Sequence, residues 1–177
     1  MAKITGTGAS EVLDGTDFSD EIIGRGGADF INAGKGSDLV LGGGGNDIID
    51  GGKGSDTLYG GTGDDTLIGG AGDDFLSGDK GADTLTGDGG DDTFFFSVAS
   101  PLGTGVDVVT DFNFNDDVIA VGNGSGGALA SGDFTYAAVA ANTYGSHDAG
   151  LAISYGGEAM AVLEGVAEQS DYSVLFA

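Results

Sequence analysis

Large apolar residues recur along the first half of this chain at intervals of nine: Leu13, Ile22, Ile31, Val40, Ile49, Leu58, Leu67, Leu76, Leu85 and Phe94. Two residues before each stands an acid, in a second register that runs Glu11, Asp20, Asp29, Asp38, Asp47, Asp56, Asp65, Asp74, Asp83 and Asp92. The apolar residue and its two neighbours read as a short extended segment with the large side chain on one face. The six residues between, at their most regular Gly-Gly-x-Gly-x-Asp, read as a turn whose glycines adopt backbone angles other residues resist. The units AGKGSDLVL, GGGGNDIID, GGKGSDTLY and GGTGDDTLI, from Ala33 to Ile68, keep this pattern most strictly. Two units make one coil, so strands of like parity are expected to stack in parallel, with the turns in two opposite columns. One column carries Asp20, Asp38, Asp56, Asp74 and Asp92. The other carries Glu11, Asp29, Asp47, Asp65 and Asp83.

The first units depart from the pattern: GTDFSDEII has Phe18 at the fourth position, where a turn needing φ > 0 excludes a bulky residue, so an irregular turn is expected there. After Phe95 the period is lost and short β-like runs follow: Val106–Phe112, Asp117–Val121, Phe134–Ala140, Leu151–Tyr155, Ala159–Leu163 and Tyr172–Phe176. Gly, Ser, Asn and the single Pro101 punctuate them, and no amphipathic helix stands out. The expected organisation is irregular N-terminal turns over 1–23, a regular solenoid over 24–95 and a β-rich cap over 96–177.

Composition sharpens this reading. Glycine is 38 of 177 residues, yet 40% are hydrophobic, and strict spacing argues against a disordered Gly/Asp-rich segment. Five Lys+Arg against 29 Asp+Glu leave a formal net charge of −24, which repels nucleic acid and anionic membrane surfaces and attracts cations. There is no cysteine, hence no disulfide framework. No run approaches the ~18 apolar residues of a membrane span, and MAKITGTGAS lacks the apolar core of a cleaved signal peptide.

The spacing itself points to a metal. Turns in one column lie one strand apart, roughly 4.8 Å, and carboxylates in single file at that distance repel by about 3–4 kcal/mol per neighbouring pair at an effective dielectric of ~20. A hard divalent cation between turns removes the repulsion. Ca²⁺ suits such a site, wanting 6–8 oxygens in flexible geometry, with turn carbonyls completing the shell, whereas Mg²⁺ demands a near-octahedron and keeps its waters. One large aliphatic side chain per nine ordered residues is little apolar burial, so metal binding is expected to be part of folding.

On these residues Gly24 to Phe95 resembles the RTX (repeat-in-toxin) calcium-binding family. DDTFFF (Asp91–Phe96) and VDVVTDFNFNDDVIAV (Val106–Val121) are similar to the segment after the roll in serralysin-type proteases and alginate epimerase R-modules, and LAISYGGEAMAVLEGV (Leu151–Val166) to closing segments of cyanobacterial RTX proteins. The resemblance implies an all-β fold: a right-handed parallel β-roll with a C-terminal β-sandwich-like cap. As ligands it implies the sixth-position side chains of Asp20, Asp29, Asp38, Asp47, Asp56, Asp65, Asp74, Asp83 and Asp92. It adds second- and fourth-position carbonyls: Arg25 and Gly27, Gly34 and Gly36, Gly43 and Gly45, Gly52 and Gly54, Gly61 and Gly63, Gly70 and Gly72, Asp79 and Gly81, Asp88 and Gly90. About seven or eight Ca²⁺ would fill the two columns. It further implies a secreted protein, extracellular or at the cell surface. Export would use a type I ABC transporter that reads an uncleaved tail, here Asp171, Tyr172, Val174, Leu175 and Phe176.

Catalytic constellations are missing: there is no H-E-x-x-H and no G-x-S-x-G, and the lone His147 reads as a loop residue. Paired acids such as Asp64–Asp65 recur in register and read as a ligand with a solvated neighbour. The expected function is calcium binding with folding after export, without enzyme activity. The alternative is a recognition module for polysaccharide or a cell-surface partner, or a non-catalytic module of a larger secreted enzyme. The outward positions Ile23, Leu39, Leu41, Tyr59, Phe75 and Phe95 suggest an apolar patch covered by the C-terminal segment or a partner.

Overall fold

The computed structural model of the chain describes residues 1–98, 105–122, 134–139, 150–155 and 158–164. Strands alternate between two sheets. The first contains β1 (Lys3–Thr5), β3 (Glu21–Ile23), β5 (Leu39–Gly44), β7 (Thr57–Thr62), β9 (Phe75–Lys80), β11 (Thr93–Ser97) and β13 (Val118–Gly122), in that order. The second contains β2 (Val12–Thr16), β4 (Phe30–Gly34), β6 (Ile48–Lys53), β8 (Thr66–Ala71), β10 (Thr84–Gly89) and β12 (Asp107–Val109). Pairing among these strands is parallel, and through the repeats it joins residues 18 apart: Val40 opposite Leu58 and Leu58 opposite Leu76, Ile49 opposite Leu67 and Leu67 opposite Leu85. The protein is therefore an all-β parallel β-roll, and the described residues contain no helix.

The eighth-position side chains of both sheets point inward. Ile22, Val40, Leu58, Leu76 and Phe94 meet Ile31, Ile49, Leu67 and Leu85, each 0% exposed. The strands run further than the three-residue segments expected. β5 to β10 each continue through the first three residues of the next unit, pairing Gly43 with Gly61 and Gly52 with Gly70. The reversal is left to the fourth to sixth positions.

The roll continues past the last repeat. β12 pairs with β10, setting Val109 against Leu85, and β13 pairs with β11, setting Ile119 against Phe94. β16 (Glu158–Glu164) then adds in parallel to β12, and β15 (Gly150–Tyr155) and β14 (Phe134–Val139) follow antiparallel. This occupies what would otherwise be an open edge of the second sheet. Phe96, Ile119, Ile153, Met160 and Leu163 extend the apolar file at this end. The C-terminal strands thus join the second sheet, while the first sheet's outer face keeps Leu39 and Leu41 exposed and a run of rings, Tyr59–Phe75–Phe95, with centroids 5.8 and 5.7 Å apart. Pro101, His147 and the tail Asp171, Tyr172, Val174, Leu175 and Phe176 lie outside the described residues.

Candidate metal centre

Each turn is set by its glycines. Fourth-position glycines from Gly27 to Gly90 have φ between 99° and 151°, and a Cβ on Gly45, Gly54, Gly63, Gly72, Gly81 or Gly90 would run into the fourth-position carbonyl one coil earlier. No L-residue fits there. The second position is less exacting. Gly34, Gly43, Gly52, Gly61 and Gly70 have φ of 94–114°, while Arg25, Asp79 and Asp88 hold the same place at 81°, 70° and 64°. A side chain is thus accommodated by moving to the ordinary left-handed region.

The turns deliver the sixth-position aspartates into two buried columns. Asp20, Asp29, Asp38, Asp47, Asp56, Asp65, Asp74, Asp83 and Asp92 are each at most 3% exposed. One carboxylate oxygen of each accepts the backbone N–H one coil earlier. Asp38 thus takes the Asp20 amide, Asp56 that of Asp38, Asp74 that of Asp56 and Asp92 that of Asp74; Asp47, Asp65 and Asp83 do the same in the second column, all at 2.6–2.9 Å. The second oxygen has no partner in Asp29, Asp38, Asp47, Asp56, Asp65, Asp74 and Asp83. Seven fully buried carboxylate oxygens without a donor are too costly to be a resting arrangement. Burial accordingly pushes Asp38 and Asp47 up, Asp56, Asp83 and Asp92 up to about 6, and Asp65 and Asp74 up to about 7, with neighbouring aspartates adding to the effect.

These oxygens fit a cation. In several turns the unpaired oxygen lies over the first-position glycine beside a carbonyl of the following coil: a Cβ on Gly42, Gly51 or Gly60 would meet Asp47, Asp56 or Asp65 and, at 2.6–2.9 Å, the carbonyl of Gly60, Gly69 or Gly78. Oxygen-only donors with the backbone contributing are what Ca²⁺ accepts. Among the described residues no three acidic, His or Cys side chains converge on one point, so a full shell requires carbonyls.

The N-terminal turn of the first column is closed differently. The free oxygen of Asp20 accepts the Thr16 amide at 2.9 Å and the Thr16 hydroxyl at 2.7 Å. The Ala2 amide and the Thr16 hydroxyl hold the Asp20 carboxyl below the usual range. Phe18 is not among the positive-φ residues, consistent with its bulk.

Fifth-position residues are more than solvated neighbours. Ser10, Ser19, Asn46, Ser55, Asp64 and Asp73 each accept the backbone N–H one coil later, at 2.9–3.3 Å, along the outside of the turns. The nine-residue period also hid two members of the columns. Asp107 accepts the Asp83 amide and Asp117 the Asp92 amide, both at 3.0 Å, but they follow at 24 and 25 residues instead of 18. The signal was an acid two residues before an inward apolar residue, Asp107-Val108-Val109 and Asp117-Val118-Ile119. Asp111, by contrast, has both oxygens taken by the Gly87 and Asp88 amides.

The family model described as "RTX calcium-binding nonapeptide repeat (4 copies)" matches residues 5–40, 41–76 and 59–94. Two similar solved structures are the extracellular lipase LipA from Serratia marcescens (19% identity, 93% of this chain and 38% of that one, TM-score 0.36) and the AlgE6R3 subunit of the Azotobacter vinelandii mannuronan C5-epimerase (26% identity, 97% and 89%, TM-score 0.34). This chain thus spans well under half the length of the lipase. No curated protein matches it.

Proposed function

Because this chain belongs to the RTX calcium-binding nonapeptide repeat family, we propose that its metal columns are the switch by which it folds after export. It is a calcium-binding β-roll module, and the repeat region is structural rather than catalytic. The observation that carries the proposal is the set of seven buried aspartate oxygens with no donor. Calcium supplies the positive charge these oxygens lack. The sixth-position aspartates and the second- and fourth-position carbonyls of the turns would hold the ions, about seven or eight in all.

Each residue has a part in this. The bonded aspartate oxygen ties a turn to the coil before it, and the free oxygen is left for the ion. The glycines keep the turn narrow enough for carbonyls to approach. Without metal, a −24 chain with like charges in file is pushed apart, and an extended chain suits passage through a type I transporter that reads the C-terminal tail. With metal, neighbouring coils complete each other's sites, so binding is cooperative and coupled to folding.

The test is a calcium titration followed by far-UV circular dichroism and calorimetry, with Mg²⁺ in parallel. A chain unfolded in chelator that becomes β-rich cooperatively over about 10⁻⁴–10⁻³ M calcium, the range of extracellular modules, supports the reading. An unchanged spectrum, or independent submicromolar sites, sinks it. A second reading, recognition of polysaccharide or a cell-surface partner, is favoured by the exposed Leu39 and Leu41 beside the Tyr59–Phe75–Phe95 rings. A glycan array with and without calcium tests it.

A further inference from the structure

We propose a cation site at the end of the nonapeptide repeats, closed by Gly105 and Asp107, which lie beyond them, over the turn that ends at Asp83, and taking Ca²⁺ through two carboxylates and turn carbonyls. The proposal rests on the reading above and extends it to a segment that the repeat match, ending at residue 94, does not reach.

Three observations converge on this place. Asp83 is 1% exposed, and one of its carboxylate oxygens has no partner, as in the coils before it. A repeat would supply the covering turn 18 residues later, but here the chain makes a longer excursion. It returns with Gly105-Val106-Asp107, which reproduces the fourth to sixth positions of a repeat. Gly105 has φ of 145°, and a Cβ on it would strike the Gly81 carbonyl, as one on Gly81 would strike that of Gly63. Asp107 accepts the Asp83 amide at 3.0 Å, the contact every sixth-position aspartate makes through the roll. Val109 then enters the core beside Leu85, so this turn is held in register by both its carboxylate and its strand.

The turn under this place carries a second acid as well as Asp83, with Lys80 beside it in the chain. Where most repeats have glycine at the second position, this turn has Asp79, in the left-handed region at φ 70°, close enough to Asp83 and Asp107 for its charge to act on both. A cation here therefore relieves the repulsion of three acids, two of them offered as ligands. The site lies where the repeats stop and the cap begins, so the ion would also fasten the two parts of the roll together.

The experiment counts ions in the full chain by native mass spectrometry and calorimetry, comparing wild type with Asp107→Asn and Asp116→Asn. The Asp107→Asn side chain keeps an oxygen to accept the Asp83 amide and loses the charge and the second oxygen that would face the ion. Asp116 is an exposed acid of the β12–β13 connection that removes the same charge. One ion fewer in Asp107→Asn, with Asp116→Asn unchanged, is the expected result. An unchanged count in Asp107→Asn, or an equal loss in both variants, overturns the proposal while the repeat reading stands; a wild type that binds no calcium overturns both. Should Asp107→Asn fail to fold, a crystal structure of the calcium-loaded wild type decides: an ion bound to both Asp83 and Asp107 is expected, and none there overturns the site.

Discussion

Consider Asp56→Ala beside Asp64→Ala, two acids eight residues apart with opposite places in the turn. Asp56 is 2% exposed, and one of its oxygens accepts the Asp38 amide at 2.8 Å while the other has no donor. Asp64 is exposed and accepts only the Ala82 amide, at 3.0 Å, on the outside of its turn. Truncating Asp56 leaves the Asp38 amide buried and unpaired, a cost of about 1–3 kcal/mol. Losing one ion site of Kd ~10⁻⁴–10⁻³ M forfeits a further 1.4–2.7 kcal/mol, roughly, at 10 mM calcium. In chelator the second loss vanishes, and removing one charge from the file of Asp38, Asp56 and Asp74 offsets part of the first. The penalty of Asp56→Ala should therefore grow with calcium, to about 3–5 kcal/mol at 10 mM. Asp64→Ala exposes its amide to water and should cost about 1 kcal/mol or less, whatever the calcium concentration. Urea unfolding across a calcium series, with ion counts by calorimetry, measures both. Equal calcium dependence in the two variants would refute the assignment of sixth and fifth positions.

Acidification should act on metal-free and calcium-loaded protein in opposite directions. Burial raises Asp65 and Asp74 to about 7 in the fold, so the folded state holds protons more tightly than the unfolded one. The metal-free chain, unfolded at pH 8, should then gain β structure as pH falls towards 4, while calcium affinity falls, as circular dichroism and calorimetry at pH 5 and 8 would show. Gly54→Ala, at φ 126° against the Gly36 carbonyl, should cost about 1–3 kcal/mol from backbone strain alone. Gly52→Asp should be tolerated, as Asp79 and Asp88 are at the same position; thermal melts in saturating calcium that rank the two variants the other way would contradict the turn geometry. A chain ending at Ser170 should lose type I export, and undiminished secretion of the truncated chain would place the signal elsewhere.

The nine-residue period alone determined the core file, the parallel pairing at 18 residues and the two columns of acids. A side chain that must point inward once per unit, and a turn that only glycine can make, leave a regular trace in the residues themselves. The repeat also showed which substitutions it permits, with Arg25, Asp79 and Asp88 at the second position and glycine alone at the fourth from Gly27 onward. Where the coil is completed by an excursion of different length, the period breaks and the register passes out of sight. Only tertiary pairing placed Asp107 on Asp83 and Asp117 on Asp92, because a strand finds its partner by amides and packing and not by counting residues. The fifth-position ladder and the closure of Asp20 by Thr16 were likewise decided in three dimensions. A polar side chain in a sequence does not say whether its nearest donor is water or the backbone of the coil stacked against it.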